Sequence, residues 1–167
     1  MAMEVTDSNL KTLVSTGEAM ELEELKGHVL VCLELLIANE AALIEQHASE
    51  WSIAHHLACY LSQRLPGWHV DCEHIRQGPA CDVKRRTGGR PVRPDIVVHH
   101  RGRLDRDDNL LAIEVKIRPS VSDQRKVADY TAPPTSDRRF QYRYGVAVSL
   151  EGGPGTRWFS DGQEISS

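Results

Sequence analysis

Pro94-Asp95 opens the apolar run Ile96 to Val98, and a second apolar run, Leu110 to Ile113, leads into Glu114-Val115-Lys116. Carboxylate oxygens suit Mg²⁺ or Mn²⁺, which take a few acidic ligands together with water and substrate phosphate. A lysine beside such a pair would orient water or stabilise charge developing on a phosphate. The chemistry these residue types could do is metal-assisted hydrolysis of a phosphodiester, with nucleic acid as the substrate. The competing reading is a hairpin with a solvated charged face, on which Glu114 and Lys116 form a minor surface pair.

Paired strands are what would bring these groups together. If Asp95 to His100 pairs with Leu110 to Ile117 around the turn-rich stretch Gly102 to Asn109, Asp95 lies almost opposite Glu114. Side chains alternate along a strand, so Glu114 and Lys116 share one face while Val115 enters the core. The metal set expected from these positions is Asp95, Glu114 and the backbone carbonyl of Val115. Upstream, Glu50 to Leu65 reads as a helix with Ile53, Ala54, Leu57, Ala58 and Leu61 on one face. Glu50 lies on the line of that stripe, where it would ligand the metal or position water; an acid in a first turn also simply suits the helix dipole. His55 reads either as a half-buried structural histidine or as a phosphate contact.

From about Ala48 to Leu150 the chain resembles the PD-(D/E)xK phosphodiesterase superfamily, the restriction-endonuclease-like fold, and in particular small bacterial proteins of that fold. The resemblance rests on EWSIAHHLACYL, GWHVDCEHIR, RPDIVVHHRG, NLLAIEVK and DQRKVADYT, in that order. It implies a metal-dependent nuclease with Asp95, Glu114 and Lys116 as the core motif and Glu50 as the additional acid on the preceding helix. Glu73, in VDCE, is a further candidate acid. The superfamily also contains members that no longer cut.

The remaining elements complete an architecture. Glu18 to His47 reads as helical, after a frayed stretch over residues 1 to 17, with Leu22, Leu25, Val29, Leu33, Leu36, Ile37, Ala41 and Ile44 at three- and four-residue steps. Trp68 to Ile75 reads as the first strand, Ser122 to Tyr130 as a crossover helix and Tyr142 to Leu150 as a fourth strand. Arg157 to Phe159 reads as a short edge strand facing Gln163 to Ile165. The expected fold is α/β: an αβββαβ restriction-endonuclease-like core with a mixed central sheet flanked by helices. Residues 1–47 would form an N-terminal helical extension and residues 48–167 the core, in one compact domain. The long stripe from Leu22 to Ile44 exceeds what so small a sheet needs, and suggests a homodimer through the N-terminal helices.

Charge is unevenly placed. Residues 1 to 75 carry 12 acids against 3 bases, whereas residues 76 to 167 carry 12 against 17. The basic half includes Arg76, Lys84, Arg85, Arg86, Arg90 and Arg93 just before Asp95, a segment expected to hold a phosphate backbone, or else merely to solubilise the surface. Nothing in the pattern reads bases, and only nine aromatic residues leave little for a stacking platform.

Val29 to Ala38, the most apolar stretch, is too short to span a membrane and contains Glu34, and no signal-peptide pattern opens the chain, so a cytoplasmic protein without membrane partners is expected. Cys32, Cys59, Cys72 and Cys81 suit free thiols. His69, Cys72, His74 and Cys81 offer zinc chemistry, but at a spacing that matches no zinc-finger pattern. Taken together the expected activity is that of a Mg²⁺- or Mn²⁺-dependent DNA endonuclease, DNA being favoured over RNA. The opposing class is an inactive nuclease-like fold that binds nucleic acid or a protein partner.

Overall fold

Apolar residues at helical spacing build the first layer. In the computed structural model, which describes residues 20–46, 49–74, 76–78, 80, 82–85, 91–136 and 138–166, α1 (Leu22–Asn39) buries Leu25, Val29, Cys32, Leu33 and Leu36. The single helix expected to run to His47 breaks at Glu40, whose φ of −117° and ψ of 24° leave helical geometry, and restarts as the short α2 (Ala41–Glu45). Residues 1 to 17, Cys81, Arg86 and Arg90 lie outside the described residues. α3 (Glu50–Arg64) starts where the Ser49 hydroxyl accepts the Ser52 N–H, an N-cap of ordinary kind. It buries the five apolar residues expected of it. Gly67, at φ +93°, makes the left-handed turn into the sheet that a side chain would resist.

The strands follow as β1 (His69–Cys72), β2 (Arg76–Gln77), β3 (Asp82–Val83), β4 (Ile96–His99) and β5 (Asn109–Lys116); then come α4 (Val121–Thr131), β6 (Tyr144–Ser149), β7 (Gly155–Ser160) and β8 (Gln163–Ile165). Six of them form a mixed sheet in the order β1-β4-β5-β6-β7-β8, while β2 and β3 pair apart as a small ribbon. Only β5 and β6 run parallel among the pairs of the large sheet. A parallel pair needs a crossover, and α4 supplies it. The succession α3-β1-β4-β5-α4-β6 has the αβββαβ order.

Several expectations are corrected by this register. β1 stops at Cys72 rather than Ile75, because Glu73 sits at φ +50° and leaves the extended conformation. The strand containing Arg157 is internal: β7 pairs with both β6 and β8, and β8 forms the edge. The apolar stripe of α1 is consumed inside the chain, packed with α3 and one face of the sheet. Leu25, Val29, Leu33 and Leu36 of that stripe are buried within the chain, whereas Leu30 and Leu35 of the same helix are exposed. Among the described residues no helix is long and apolar enough to cross a membrane. Cys32, Cys59 and Cys72 are free, as expected.

Alternation divides the sheet between two cores. Ile96, Val98, Leu111, Ile113, Val115, Val146 and Val148 face α1 and α3. Val97 and Ala112 lie on the other face with Tyr130, Phe140 and Tyr142. α4 lies close enough to that second face that a Cβ on Gly145 would stand 2.5 Å from Val127 Cγ1 and 3.0 Å from Thr131 Cγ2. Gly145→Ala is expected to destabilise the protein by about 1–3 kcal/mol through overpacking. Urea denaturation measures this, and an unchanged midpoint would mean that α4 can lift off the sheet without loss.

Candidate active site

The site forms where β4 begins, β5 ends and α4 crosses. Ile96 pairs with Ile113, so Asp95, one residue before β4, stands next to Glu114 as the expected hairpin requires. Its Oδ2 accepts the Val115 N–H at 2.8 Å, which anchors one carboxylate oxygen to the neighbouring strand. Glu114 is only 3 % exposed, deeper than a surface position in a cleft would be. Lys116, half-buried as the last residue of β5, donates to Glu50 Oε2 on the first turn of α3. The four residues expected to act together thus share one locality, with Glu50 attached to the lysine.

α4 adds three residues that motif reading did not assign. The Tyr130 hydroxyl donates to Glu114 Oε1 at 2.7 Å, and Lys126 Nζ lies 3.4 Å from Glu114 Oε2 and 2.6 Å from Asp123 Oδ1. Asp123, Lys126 and Tyr130 fall at i, i+3 and i+7, one helical face. That polar face on a crossover helix directly after the Glu-x-Lys strand was the available signal. Glu114 and Lys116 also line a depression with Ser120, Asp123, Ser149 and Arg157.

Electrostatics in this cluster favour an added cation. Burial, then the nearby Asp95 charge, push the Glu114 carboxyl up to about 7, against the hydrogen bond from Tyr130. Burial likewise raises Asp95, opposed by the Val115 N–H and by Lys116 and Lys126. Burial tends to lower Lys116, but the hydrogen bond and charge of Glu50 raise it. Asp123 is lowered overall: burial works against the charge, and the hydrogen bonds from Lys126 and Ser120 together with the Lys126 and Lys116 charges outweigh it. Asp95, Glu114, Asp123 and Glu50 present four carboxyl groups against two ammonium groups, Lys116 and Lys126. Fully ionised, that leaves two negative charges, the balance one divalent ion would supply.

Family models, curated proteins and solved structures were each compared with the chain, and none matches. The geometry is therefore what carries the functional reading.

The basic segment is altered by the fold. Lys84 is 1 % exposed and cannot reach a phosphate backbone; its Nζ donates to Tyr142 Oη at 2.5 Å and to the His74 carbonyl at 3.0 Å. Burial holds this amine down at about 7. Arg76 and Arg85 are exposed, as is Arg93, which pairs with Glu73 at 3.3 Å. The Glu73 carboxylate is thereby turned to Arg93, while its backbone N–H donates to the Asp95 carbonyl at 3.0 Å. Lys84-Arg85 runs beside Pro91-Val92, with the Val92 N–H on the Lys84 carbonyl, so alternation sends Lys84 inward and Arg85 outward. His55 is exposed, stacked on Trp51 with ring centroids 6.3 Å apart, rather than half-buried.

A second polar group lies further along β1 and β4. Among the described residues, Asp71, His74 and His99 are the one set of three metal-ligating side chains close enough to share an ion. Such a set could hold a metal. It does not include the expected Asp95 and Glu114, nor His69 and Cys72.

Proposed function

We propose that this chain is a Mg²⁺- or Mn²⁺-dependent phosphodiesterase with a restriction-endonuclease-like core, acting on nucleic acid as a DNA endonuclease. The observation that carries the reading is the convergence of Asp95, Glu114 and Lys116 on one sheet end, with both carboxyl groups raised by burial and Glu114 raised further by the Asp95 charge. Asp95, Glu114 and the Val115 carbonyl would hold the ion, an all-oxygen donor set suited to a hard cation. When bound, the ion would polarise a phosphate and make a coordinated water more acidic.

The chain's own groups divide the remaining work. Tyr130 and the Val115 N–H each fix one carboxylate oxygen, so the two acids are oriented before any ligand arrives. Glu50 holds the Lys116 ammonium in its charged form beside the acids, where it would orient water or stabilise charge on the phosphate. Lys126 supplies a second positive charge against Glu114 and Asp123. Arg76, Arg85, Arg93 and Arg157 offer exposed cations for a flanking backbone.

A panel of labelled single- and double-stranded DNA and RNA, incubated with Mg²⁺, Mn²⁺ or EDTA, tests the proposal. Cleavage is expected with either metal and not with EDTA. It should fall by about 10²-fold or more in Lys116→Ala with metal binding retained. Absence of cleavage on every substrate would sink the enzyme reading; salt-sensitive binding without cleavage would leave a nucleic-acid-binding module.

A further inference from the structure

We propose that Asp71, His74 and His99 form a second metal site, for a divalent first-row transition ion with Zn²⁺ foremost, distinct from the Asp95 and Glu114 carboxylates. The inference does not rest on the nuclease reading. One ligand atom from each of the three residues lies within 4.8 Å of the other two. Asp71 Oδ2 is 2.9 Å from His99 Nε2 and 3.9 Å from His74 Nδ1. Tetrahedral Zn²⁺, with bonds of about 2.0–2.1 Å, needs ligand atoms about 3.3 Å apart. The observed separations bracket that value, so side-chain rotations of small size would close the set.

The backbone explains how residues so far apart in sequence converge. Asp71 pairs with Val97 across β1 and β4, which makes His99 its diagonal neighbour on the same face. Glu73 then adopts its left-handed conformation, φ +50°, and turns the chain so that His74 returns beside Asp71. A non-glycine residue in that region is uncommon and points to a local demand on the backbone. The two imidazoles meet edge to face, centroids 4.7 Å apart at 63°, converging on the carboxylate.

Donor chemistry selects the ion. Two imidazoles with one carboxylate suit Zn²⁺, Co²⁺ or Ni²⁺, whereas Mg²⁺ demands oxygen ligands. Three protein ligands leave a position for water or another molecule, the arrangement of reactive and regulatory zinc sites rather than closed structural ones.

Arg101 is the group to be displaced. Its Nε and Nη2 donate to both oxygens of Asp71, at 2.7 and 2.5 Å. Its side chain is 56 % exposed and can return to water when a metal takes the carboxylate. Lys84 is the other cation nearby, held on the His74 carbonyl rather than on a ligand atom.

Calorimetric titration of chelator-treated full-length protein with ZnCl₂, and with CoCl₂ read by visible absorption, tests the site. One equivalent is expected to bind, in the presence of excess Mg²⁺ and also in Glu114→Gln. His74→Ala should weaken binding by at least about tenfold with an unchanged circular-dichroism spectrum. Arg101→Ala, which removes the competitor without touching a ligand, should tighten it severalfold. No Zn²⁺ binding, or Zn²⁺ affinity unchanged in a folded His74→Ala, overturns the proposal. Should His74→Ala fail to fold, Arg101→Ala decides: unchanged or weakened affinity overturns it. Displacement of the bound Zn²⁺ by Mg²⁺ would move the ion to the carboxylates and count equally against it.

Discussion

Glu114→Gln is expected to abolish cleavage and at the same time to stabilise the metal-free protein above neutral pH. The loss of activity should be about 10²–10³-fold or more, because one of two acidic ligands disappears while the Tyr130 hydrogen bond to the remaining amide oxygen survives. The gain in stability follows from proton linkage. The Glu114 carboxyl is raised from 4.5 to about 7 in the fold, chiefly by burial and then by Asp95. Between those two values the folded state holds a proton that the unfolded chain has released, so this group's contribution is fully present below about pH 4.5. It is lost as pH rises through 7, by at most about 3 kcal/mol.

The glutamine variant lacks this loss. Urea denaturation at pH 5 and pH 8 should show wild type and variant drawing apart as pH rises, and Mg²⁺ should restore the wild type at pH 8 without helping the variant. His99, lowered to about 4 by burial against the pull of Asp71, changes stability in the opposite sense below pH 6.5, but it does so in both proteins and cancels from the comparison. Parallel pH dependence of the two proteins would overturn the account of Glu114 as a buried, charge-crowded acid. Retained activity in the variant would remove it from the metal set.

Arg138→Met is expected to be the most destabilising single change in the sheet-covering layer, at about 3–5 kcal/mol. Arg138 is 2 % exposed, and its guanidinium donates to the Asp129 carboxylate at 2.6 Å, to the Asp129 and Ala132 carbonyls at 2.9 and 3.1 Å, and to the Pro133 carbonyl. These bonds tie the C-terminal end of α4 to the chain that follows it. Methionine fills much of the volume but leaves the acceptors without this donor, the costly half of breaking a buried pair. Because α4 carries Lys126 and Tyr130 to Glu114, activity should fall along with stability. A change under about 1 kcal/mol on denaturation would show that water replaces the guanidinium at no cost.

Helix and strand positions were legible wherever one periodicity dominated. The five buried residues of α3 and the alternation along β5 follow directly from spacing, and the turn-rich stretch before Asn109 fixed the hairpin register closely enough to set Asp95 beside Glu114. Boundaries failed where a single residue's backbone angles decide them, as at Glu40 between α1 and α2 and at Glu73 after β1. Such departures leave hydrophobic patterns intact on both sides.

The residue types and order along the chain therefore settled which groups can meet across a hairpin, since pairing and alternation are local rules. They could not settle depth or counter-charge. Lys84 looks like one more base in an arginine-rich loop; it is buried because the short pairing with Pro91-Val92 turns it toward Tyr142, 58 residues away. Glu114 looks like a surface acid; its carboxyl is held above the usual carboxylate range because α4 covers it and Asp95 faces it. Asp71, His74 and His99 show no spacing that links them, and they converge only through strand pairing and one left-handed residue. Burial, charge crowding and cross-strand encounters depend on distances between elements remote in sequence, and those distances are set by packing of the whole sheet.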